Sequence, residues 1–458
     1  MVGWDKFTDI THNTGGDYHT FPNLFTQLRI GIIYISLNVV YIIWLLGGRQ
    51  NRQPDRQLGY EFICFNDVIK YVSVFLLIAF VAYPVGNDVY LYLQYGLMSL
   101  NGVNPFTHGA GGFASELSPL IRWGQSSTYG PVAQLLFMAA ATATSLSPIL
   151  AVYLFKLFCL LIHIFNAYLV WRLLRFSAYR SSITAAYLVN PLLLFEQVAS
   201  AHIDVLISTV VLLLAACLRY RRYAMAMAVA WVGFLIKTLP IVWLPLLSVF
   251  LIRQRRWLSL AIVIACSLIA AVALEQTVLP TVGAWKSLLN PGAAGTANSL
   301  HKLLKVSLDS APGISANVQQ LLLSKFKLIA YAGFAAFYIW TLLKVYGRQR
   351  YRETNLIVDI GWITLVLFLL ATPWLMPWYA SVLLAIVALN PESRVFALTT
   401  LSFCLSSSCV YALMGVGAAS SVVMVGLPAT MLLLAPKLSR SWPVPSPVVE
   451  PELVRTAD

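Results

Sequence analysis

"YPVGNDVYLYLQYG", residues 83–96, decides how the chain is to be folded. An apolar run beginning near residue 68 ends there in a single carboxylate, Asp88, followed by Tyr90, Tyr92 and Tyr95. About 20 apolar residues cross the hydrocarbon core as a helix, and a charge left at its centre costs about 2.5–3.5 kcal/mol. Asp88 therefore marks the water boundary at which the chain leaves the bilayer. In a helix over 88–100, Asp88, Tyr92, Tyr95 and Ser99 share one face, a carboxylate above a stripe of phenols. The plainer alternative is an interfacial aromatic belt in which Asp88 caps the helix.

Working outward, the composition is that of a polytopic membrane protein. The 458 residues are 59% hydrophobic and only 11% charged, against roughly 25% charged in soluble chains. All-α crossings are expected near 27–47, 68–86, 149–171, 181–198, 204–219, 224–236, 239–252, 257–279, 326–346, 355–372, 376–391, 394–411 and 417–436, about thirteen spans in one domain over 27–436. The pair 224–236 and 239–252 is short enough to be one kinked helix, but basic residues at both ends favour two. No small-residue cleavage site precedes the first apolar run, so no removable signal peptide is expected.

A formal charge of +13 invites a nucleic-acid reading, but the cations cluster in short loops between apolar runs. Such clusters orient a membrane chain. Arg49/Arg52/Arg56, Arg172/Arg175/Arg180, Arg219/Arg221/Arg222, Arg253/Arg255/Arg256, Lys344/Arg348/Arg350/Arg352 and Lys437/Arg440 fall at alternate turns, which places them in the cytoplasm. That scheme requires 131–147 to be a re-entrant or interfacial helix that does not cross. The external segments are then 1–26, 86–147, 199–203, 280–325, 372–376 and 412–416, with a disordered cytoplasmic tail over 437–458. The six cysteines have no metal-ligand spacing and imply no disulfide framework.

Ionisable residues beside apolar helices need a partner, a wet cavity or a task. The topology gathers Asp88, Glu116, Arg122, Lys156, Glu196, His202, Asp204, Lys237, Glu275 and His301 on the outer side. Asp359 and Glu353 instead fall at a cytoplasmic helix start, where they suit the helix dipole. "NGVNPFTHG" (101–109), with His108, and "SSTYGP" (126–131), with Tyr129, carry turn chemistry in the first long external loop. In "ASAHIDVL" (199–206), His202 and Asp204 suit a metal, a sugar hydroxyl or, for Asp204, a helix cap. Two ligands are too few for a metal site. Lys156 and Lys237 are snorkelling lysines or the cations of an anionic headgroup site. Trp378 and Tyr379 in "TPWLMPWYAS" (372–381) either anchor a helix or stack on a sugar ring.

Four stretches, "GNDVYLYLQYG" with "NGVNPFTHG", then "STYGPVAQL", "VNPLLLFEQVASAHID" and "FLIKTLPIVWLPLL", occur in an order that resembles the polyprenyl-phosphate-mannose-dependent α-1,6-mannosyltransferases of actinobacterial lipomannan assembly. These belong to the GT-C glycosyltransferases. The likeness covers residues 83–250, with "MPWY" (376–379) added. It implies a GT-C-like fold with interfacial helices in the first external loop and a catalytic base at Asp88, with Asp204 as the second acidic position. It also implies a bacterial plasma-membrane enzyme whose site faces outward. Helix 27–47 is extra relative to that pattern, and the paired Asp-x-Asp of metal-dependent members is missing, so neither metal nor cofactor is expected.

The expected reaction is inverting transfer of a hexose, most simply mannose, from a polyprenyl-phosphate donor to a glycan or glycolipid. Asp88 deprotonates the acceptor, while Lys156, Lys237, Arg122 and His301 are the candidates for holding the departing phosphate. Glu196, His202 and Asp204 are expected to position sugar hydroxyls, with Tyr92, Tyr95, His108, Tyr129, Trp378 and Tyr379 lining the site. "NPGAAGTANSLHKLL" (290–304) is a candidate lid. A secondary transporter or flippase predicts repeated halves and midplane charges, and a lipid-linked glycan polymerase or ligase predicts arginine-rich external loops. The sequence has no visible repeat and a single external loop arginine, Arg122.

Overall fold

The computed structural model describes residues 24–47, 64–121, 123–289 and 295–440. Arg122, the Arg49–Arg56 loop, the start of the expected lid, most of segment 1–26 and the tail beyond Arg440 lie outside the described residues. In chain order the principal helices are α1 (Leu24–Gly47), α2 (Phe65–Val81), α3 (Asp88–Leu100), α4 (Pro131–Ala141), α5 (Pro148–Leu173), α6 (Arg180–Leu188), α7 (Asp204–Arg219), α8 (Tyr223–Phe234) and α9 (Leu244–Arg253). They continue with α10 (Trp257–Thr277), α11 (Val282–Leu289), α12 (Leu300–Asp309), α13 (Ala316–Gly347), α14 (Glu353–Val366), α15 (Ala380–Leu389), α16 (Arg394–Leu413) and α17 (Ala419–Arg440). Among the described residues there is no strand longer than an isolated bridge.

Each expected apolar run is helical, but among the described residues only seven helices are long and apolar enough to cross a membrane, or eight if one bent pair counts as a span. Part of the shortfall from thirteen arises because Phe65–Val81, Asp204–Arg219 and Tyr223–Phe234 are simply short. Proline explains another part. It fixes its own φ, lacks an N–H and disfavours helix at the residue before it. Run 181–198 breaks at Asn190-Pro191, where Asn190 Oδ1 accepts the amides of Leu192 and Leu193 at 3.0 and 3.2 Å and starts a new segment. That segment, the wide π-helical Leu193–Ala199, meets α7 at 114°. Long helices α10 and α13 leave Leu258, Leu268, Ile269, Leu328, Ile329 and Leu343 exposed, an apolar surface suited to lipid rather than water.

Helix α4, 11 residues long, reaches about 17 Å at 1.5 Å per residue, well short of the ~30 Å core. It lies on α3 instead. A Cβ at Gly96 would fall on the Phe137 carbonyl, so glycine is what lets the two helices touch. Gln134 then ties them by donating to the Tyr95 carbonyl at 2.6 Å and to Ser99 Oγ at 2.9 Å.

Several of the segments expected to be external gather at the same end of the bundle as Asp88. Asn104 Nδ2 donates to the Val278 carbonyl at 2.7 Å, and Phe106 packs with Leu279, Ala284 and Leu288. Ala297 bridges to the turn after α14: its amide donates to the Pro373 carbonyl at 3.1 Å, and its carbonyl accepts from Leu375 at 2.8 Å. Ser299 Oγ adds a bond to the same Pro373 carbonyl at 2.6 Å. The C-terminal part of the expected lid is thus fastened to the segment that carries Trp378 and Tyr379.

Helix α1, extra by sequence, packs along α16. Gly31 admits the Ala412 backbone, since a Cβ there would sit 2.5 Å from the Ala412 amide nitrogen. Gln27 Nε2 donates to the Met414 carbonyl at 2.6 Å. The first and sixteenth helices therefore form one layer against the π-helical segment.

Candidate active site

Asp88 occupies the first turn of α3, where the free amides and helix dipole favour a carboxylate. Its side chain is 20% exposed, and Oδ2 lies 3.6 Å from His202 Nδ1. His202 arrives there through a tight turn after the π-helical segment: its amide donates to the Glu196 carbonyl at 2.9 Å, and Ala201 adopts φ +56°. That left-handed conformation costs a non-glycine residue roughly 1–2 kcal/mol. It directs the imidazole back between two acids, because Nε2 lies 3.5 Å from Glu196 Oε2.

Glu196 is fully buried. Its Oε1 accepts from Tyr34 at 3.4 Å and its Oε2 from Tyr411 at 3.1 Å. Tyr34 stacks on Phe195 with centroids 4.2 Å apart, which fixes its hydroxyl toward the acid. Tyr34 and Tyr411 were not among the residues expected from the sequence. A tyrosine inside an apolar helix is the signal that points to them, since its buried hydroxyl needs a partner.

Asp204 begins α7 with both oxygens 2.9 Å from Lys237 Nζ, so it pairs with a lysine rather than capping its helix. Backbone pairing brings Lys237 alongside Tyr129: Gly130 and Val132 donate to the carbonyls of Ile236 and Leu235, each at 2.9 Å. A Cβ at Gly130 would strike the Leu235 carbonyl, so this approach needs glycine. The ammonium sits 4.7 Å from the Tyr379 ring centroid and 6.0 Å from that of Tyr129. Tyr92 and Tyr129 share a hydroxyl contact at 3.3 Å. Burial first, and Asp88 second, push the Tyr129 phenol well above its ordinary value, so it remains a hydroxyl. Tyr95 shifts the same way for the same causes, while its hydroxyl donates to the Gln125 carbonyl at 3.0 Å. Trp378 stacks on His202 with centroids 3.8 Å apart.

Other expected residues lie elsewhere or are already occupied. Lys156 is wholly buried, and its Nζ donates to the carbonyls of Ala79 at 3.2 Å, Ala199 at 2.9 Å and Ala82. An ammonium has three protons, so these bonds leave none for a phosphate. His108 is exposed and bonds Thr107 Oγ1 at 2.9 Å within its own turn. His301 is buried on α12, its ring steeply inclined to that of Phe326 with centroids 5.2 Å apart. Burial first, and Lys327 second, hold its imidazole below the ordinary value. Glu116 and Glu275 are exposed. On the opposite side, Glu353 does sit in the first turn of α14. Asp359 is half a helix further on, in a buried pair with Lys344 at 2.6 Å and Tyr351 at 2.8 Å, so the dipole reading does not apply to it. Among the described residues no group of three or more His, Cys, Asp or Glu has metal-holding geometry.

The assembled groups are one partly open acid, one enclosed acid, an imidazole between them and a neighbouring ion pair roofed by aromatics. Residues 11–253 match the MptA_B family, described as alpha-(1->6)-mannopyranosyltransferase, N-terminal domain, over more than half of the chain. The chain belongs to this family. It is a membrane mannosyltransferase. No curated protein matches the sequence. In this mannosyltransferase, Asp88, Glu196, His202, Asp204 and Lys237 fall inside the matched residues, whereas Trp378, Tyr379 and Tyr411 lie beyond them.

Proposed function

We propose that the chain is an inverting, GT-C-type mannosyltransferase that takes mannose from a polyprenyl-phosphate donor at the outer face of a bacterial plasma membrane and adds it to a glycan or glycolipid. The observation that carries this reading is the placement of Asp88: a one-fifth-exposed carboxylate at a helix N-terminus, beside groups from both the first long loop and the later outer turns. A polyprenyl chain holds its sugar at the membrane, since each buried methylene contributes about 0.8 kcal/mol. A reaction site at the rim of a helical bundle meets such a donor where it lies.

In the proposed step, the acceptor oxygen bonds to the anomeric carbon as the carbon–oxygen bond to phosphate breaks. The acceptor proton goes to Asp88, and the lipid phosphate leaves with the bonding pair. A positioned base contributes about 10²–10⁴-fold. Direct displacement turns a β-linked donor into an α-linked product. Lys237 is the cation for the developing phosphate charge, held in place by Asp204. The rings of Tyr129, Trp378 and Tyr379 and the hydroxyl of Tyr92 shape the sugar site. Lys156 takes a structural role in this scheme.

The test is transfer by purified, reconstituted protein from polyprenyl-phosphate mannose, glucose and arabinose to a mannan acceptor. The mannosyl donor is expected to be used, and Asp88→Asn to lose about 10²–10⁴-fold in turnover. Release of lipid phosphate from none of the three donors overturns the reading.

A further inference from the structure

The array Asp88–His202–Glu196 holds more than a catalytic base needs. Resting on the transferase reading above, we propose that His202 is a positioning residue for Asp88, and that Glu196, gripped by Tyr34 and Tyr411, sets the imidazole tautomer that does the positioning. Helix α1 thereby becomes part of the catalytic unit.

Three observations lead there. First, His202 Nδ1 is buried, has no hydrogen-bond partner among the described residues and lies 3.6 Å from Asp88 Oδ2. Contacts of this kind are often long before substrate binds and shorten in the reacting complex. Second, the ring cannot swing away: it is stacked on Trp378 at 3.8 Å on one face, and Nε2 is 3.5 Å from Glu196 Oε2. Third, both Glu196 oxygens already accept tyrosine hydroxyls, and the residue is fully buried. A donor on Nδ1 facing the Asp88 carboxylate keeps that carboxylate ionised and aimed.

These contacts select one proton arrangement. Nδ1–H points at Asp88 Oδ2, Nε2 presents its lone pair, and Glu196 carries a proton on Oε2 that it donates to Nε2. One Asp88 oxygen is then engaged by His202, and the acceptor hydroxyl approaches the carboxylate from its exposed side. Tyr411 donates to Oε2 and Tyr34 to Oε1 without conflict, because each of these oxygens keeps a free lone pair. His202 retains its proton through the reaction, so the acceptor's proton remains on Asp88 until it passes to water through the exposed side of that carboxyl.

The side-chain amides test this directly. The Asn amide can occupy the place of Nδ1, and the Gln amide that of Nε2. In the reconstituted transfer assay, His202→Asn is expected to keep kcat within about fivefold, whereas His202→Gln and His202→Leu lose about 100-fold with KM for the lipid donor little changed. Glu196→Gln, whose amide donates like the protonated acid, is expected to stay active, and Glu196→Leu to fall with the His202→Gln group. All variants are to be compared at equal folded fraction by size exclusion and thermal melting. The pH profile adds a second readout. Among the described residues, the titratable groups that act on Asp88 besides His202 include Tyr92 and Tyr95 on its own helix, and Tyr129, Glu196, Tyr379 and Tyr411 from other elements. Losing the His202 donor raises the pH at which Asp88 ionises, so the acid limb of kcat/KM moves upward in His202→Gln.

Equal loss in His202→Asn and His202→Gln, or an inactive Glu196→Gln that folds normally, overturns the inference. Asp88→Asn, run alongside, separates the two levels. Full turnover in that variant overturns the transferase mechanism and this inference with it; an inactive Asp88→Asn with wild-type kcat in His202→Gln overturns the inference alone.

Discussion

Replacing Lys156 by Met distinguishes a lipid-phosphate ligand from a structural staple. The ammonium ties the carbonyl end of α2, through Ala79 and Ala82, to Ala199 at the end of the π-helical segment. Methionine keeps the stem's volume and apolar packing but leaves two buried carbonyls and one part-buried carbonyl without their donor. Each unsatisfied group costs about 1–3 kcal/mol, while relief of a buried ammonium returns part of that sum. A net loss on the order of 3 kcal/mol remains, which at ~2 °C per kcal/mol for a large chain lowers the apparent Tm by about 6 °C. Thermal melting in detergent or nanodiscs reads the stability, and steady-state transfer with varied lipid donor reads the site. The expected outcome is a large fall in Tm with donor KM within about threefold at a temperature where the variant is folded. A variant with unchanged Tm and a tenfold higher donor KM refutes the staple and returns Lys156 to the phosphate.

The Asp204–Lys237 pair, almost closed to solvent at 2.9 Å, is expected to cost about 3–5 kcal/mol when either partner is removed alone. Asp204→Asn with Lys237→Met together should cost less than the sum of the singles, and a strictly additive cycle in thermal melts rejects the pairing. Gly130→Ala drives a methyl into the Leu235 carbonyl and should part Tyr129 from Lys237, costing about 1–3 kcal/mol of stability and much of the transfer activity; a fully active, unshifted variant rejects the close approach. His301 is harder to protonate folded than unfolded, so the unfolded chain binds more protons as pH falls below about 6.5, and stability drops on the acid side. The apparent Tm of the wild type is therefore expected to fall more steeply than that of His301→Phe between about pH 7 and about pH 5. Parallel curves count against the burial of that ring.

What the sequence exposes and what it conceals divide along a physical line. Asp88, His202, Asp204 and Lys237 each sit at the end of an apolar run, where the cost of burying charge makes a polar residue conspicuous, and the fold does bring them together. Lys156 looks the same by that criterion, yet its partners are backbone carbonyls, which leave no mark in a pattern of side chains. Span number was harder to read because hydropathy averages over Asn190-Pro191, where a missing amide breaks the helix without lowering the apolar content. Helix α1 appeared purposeless by motif because its contribution is one hydroxyl delivered across a helix interface that only Gly31 permits.

The matched residues 11–253 hold the two acids, the imidazole and the ion pair, but they do not close the site. Trp378 pins the imidazole, Tyr379 covers the ammonium, and Tyr411 shares Glu196 with Tyr34. Two of the three hydroxyl or ring contacts that enclose Glu196 and His202 therefore come from beyond the match, on the turn before α15 and on α16. If the matched region were expressed alone, Glu196 would lose one of its two tyrosines and His202 its stacking face, which leaves a buried acid short of partners, a costly state in lipid. The boundary of sequence similarity is thus not a boundary of folding: the acids belong to one part of the chain, and the enclosure that gives them their chemistry is completed by the other.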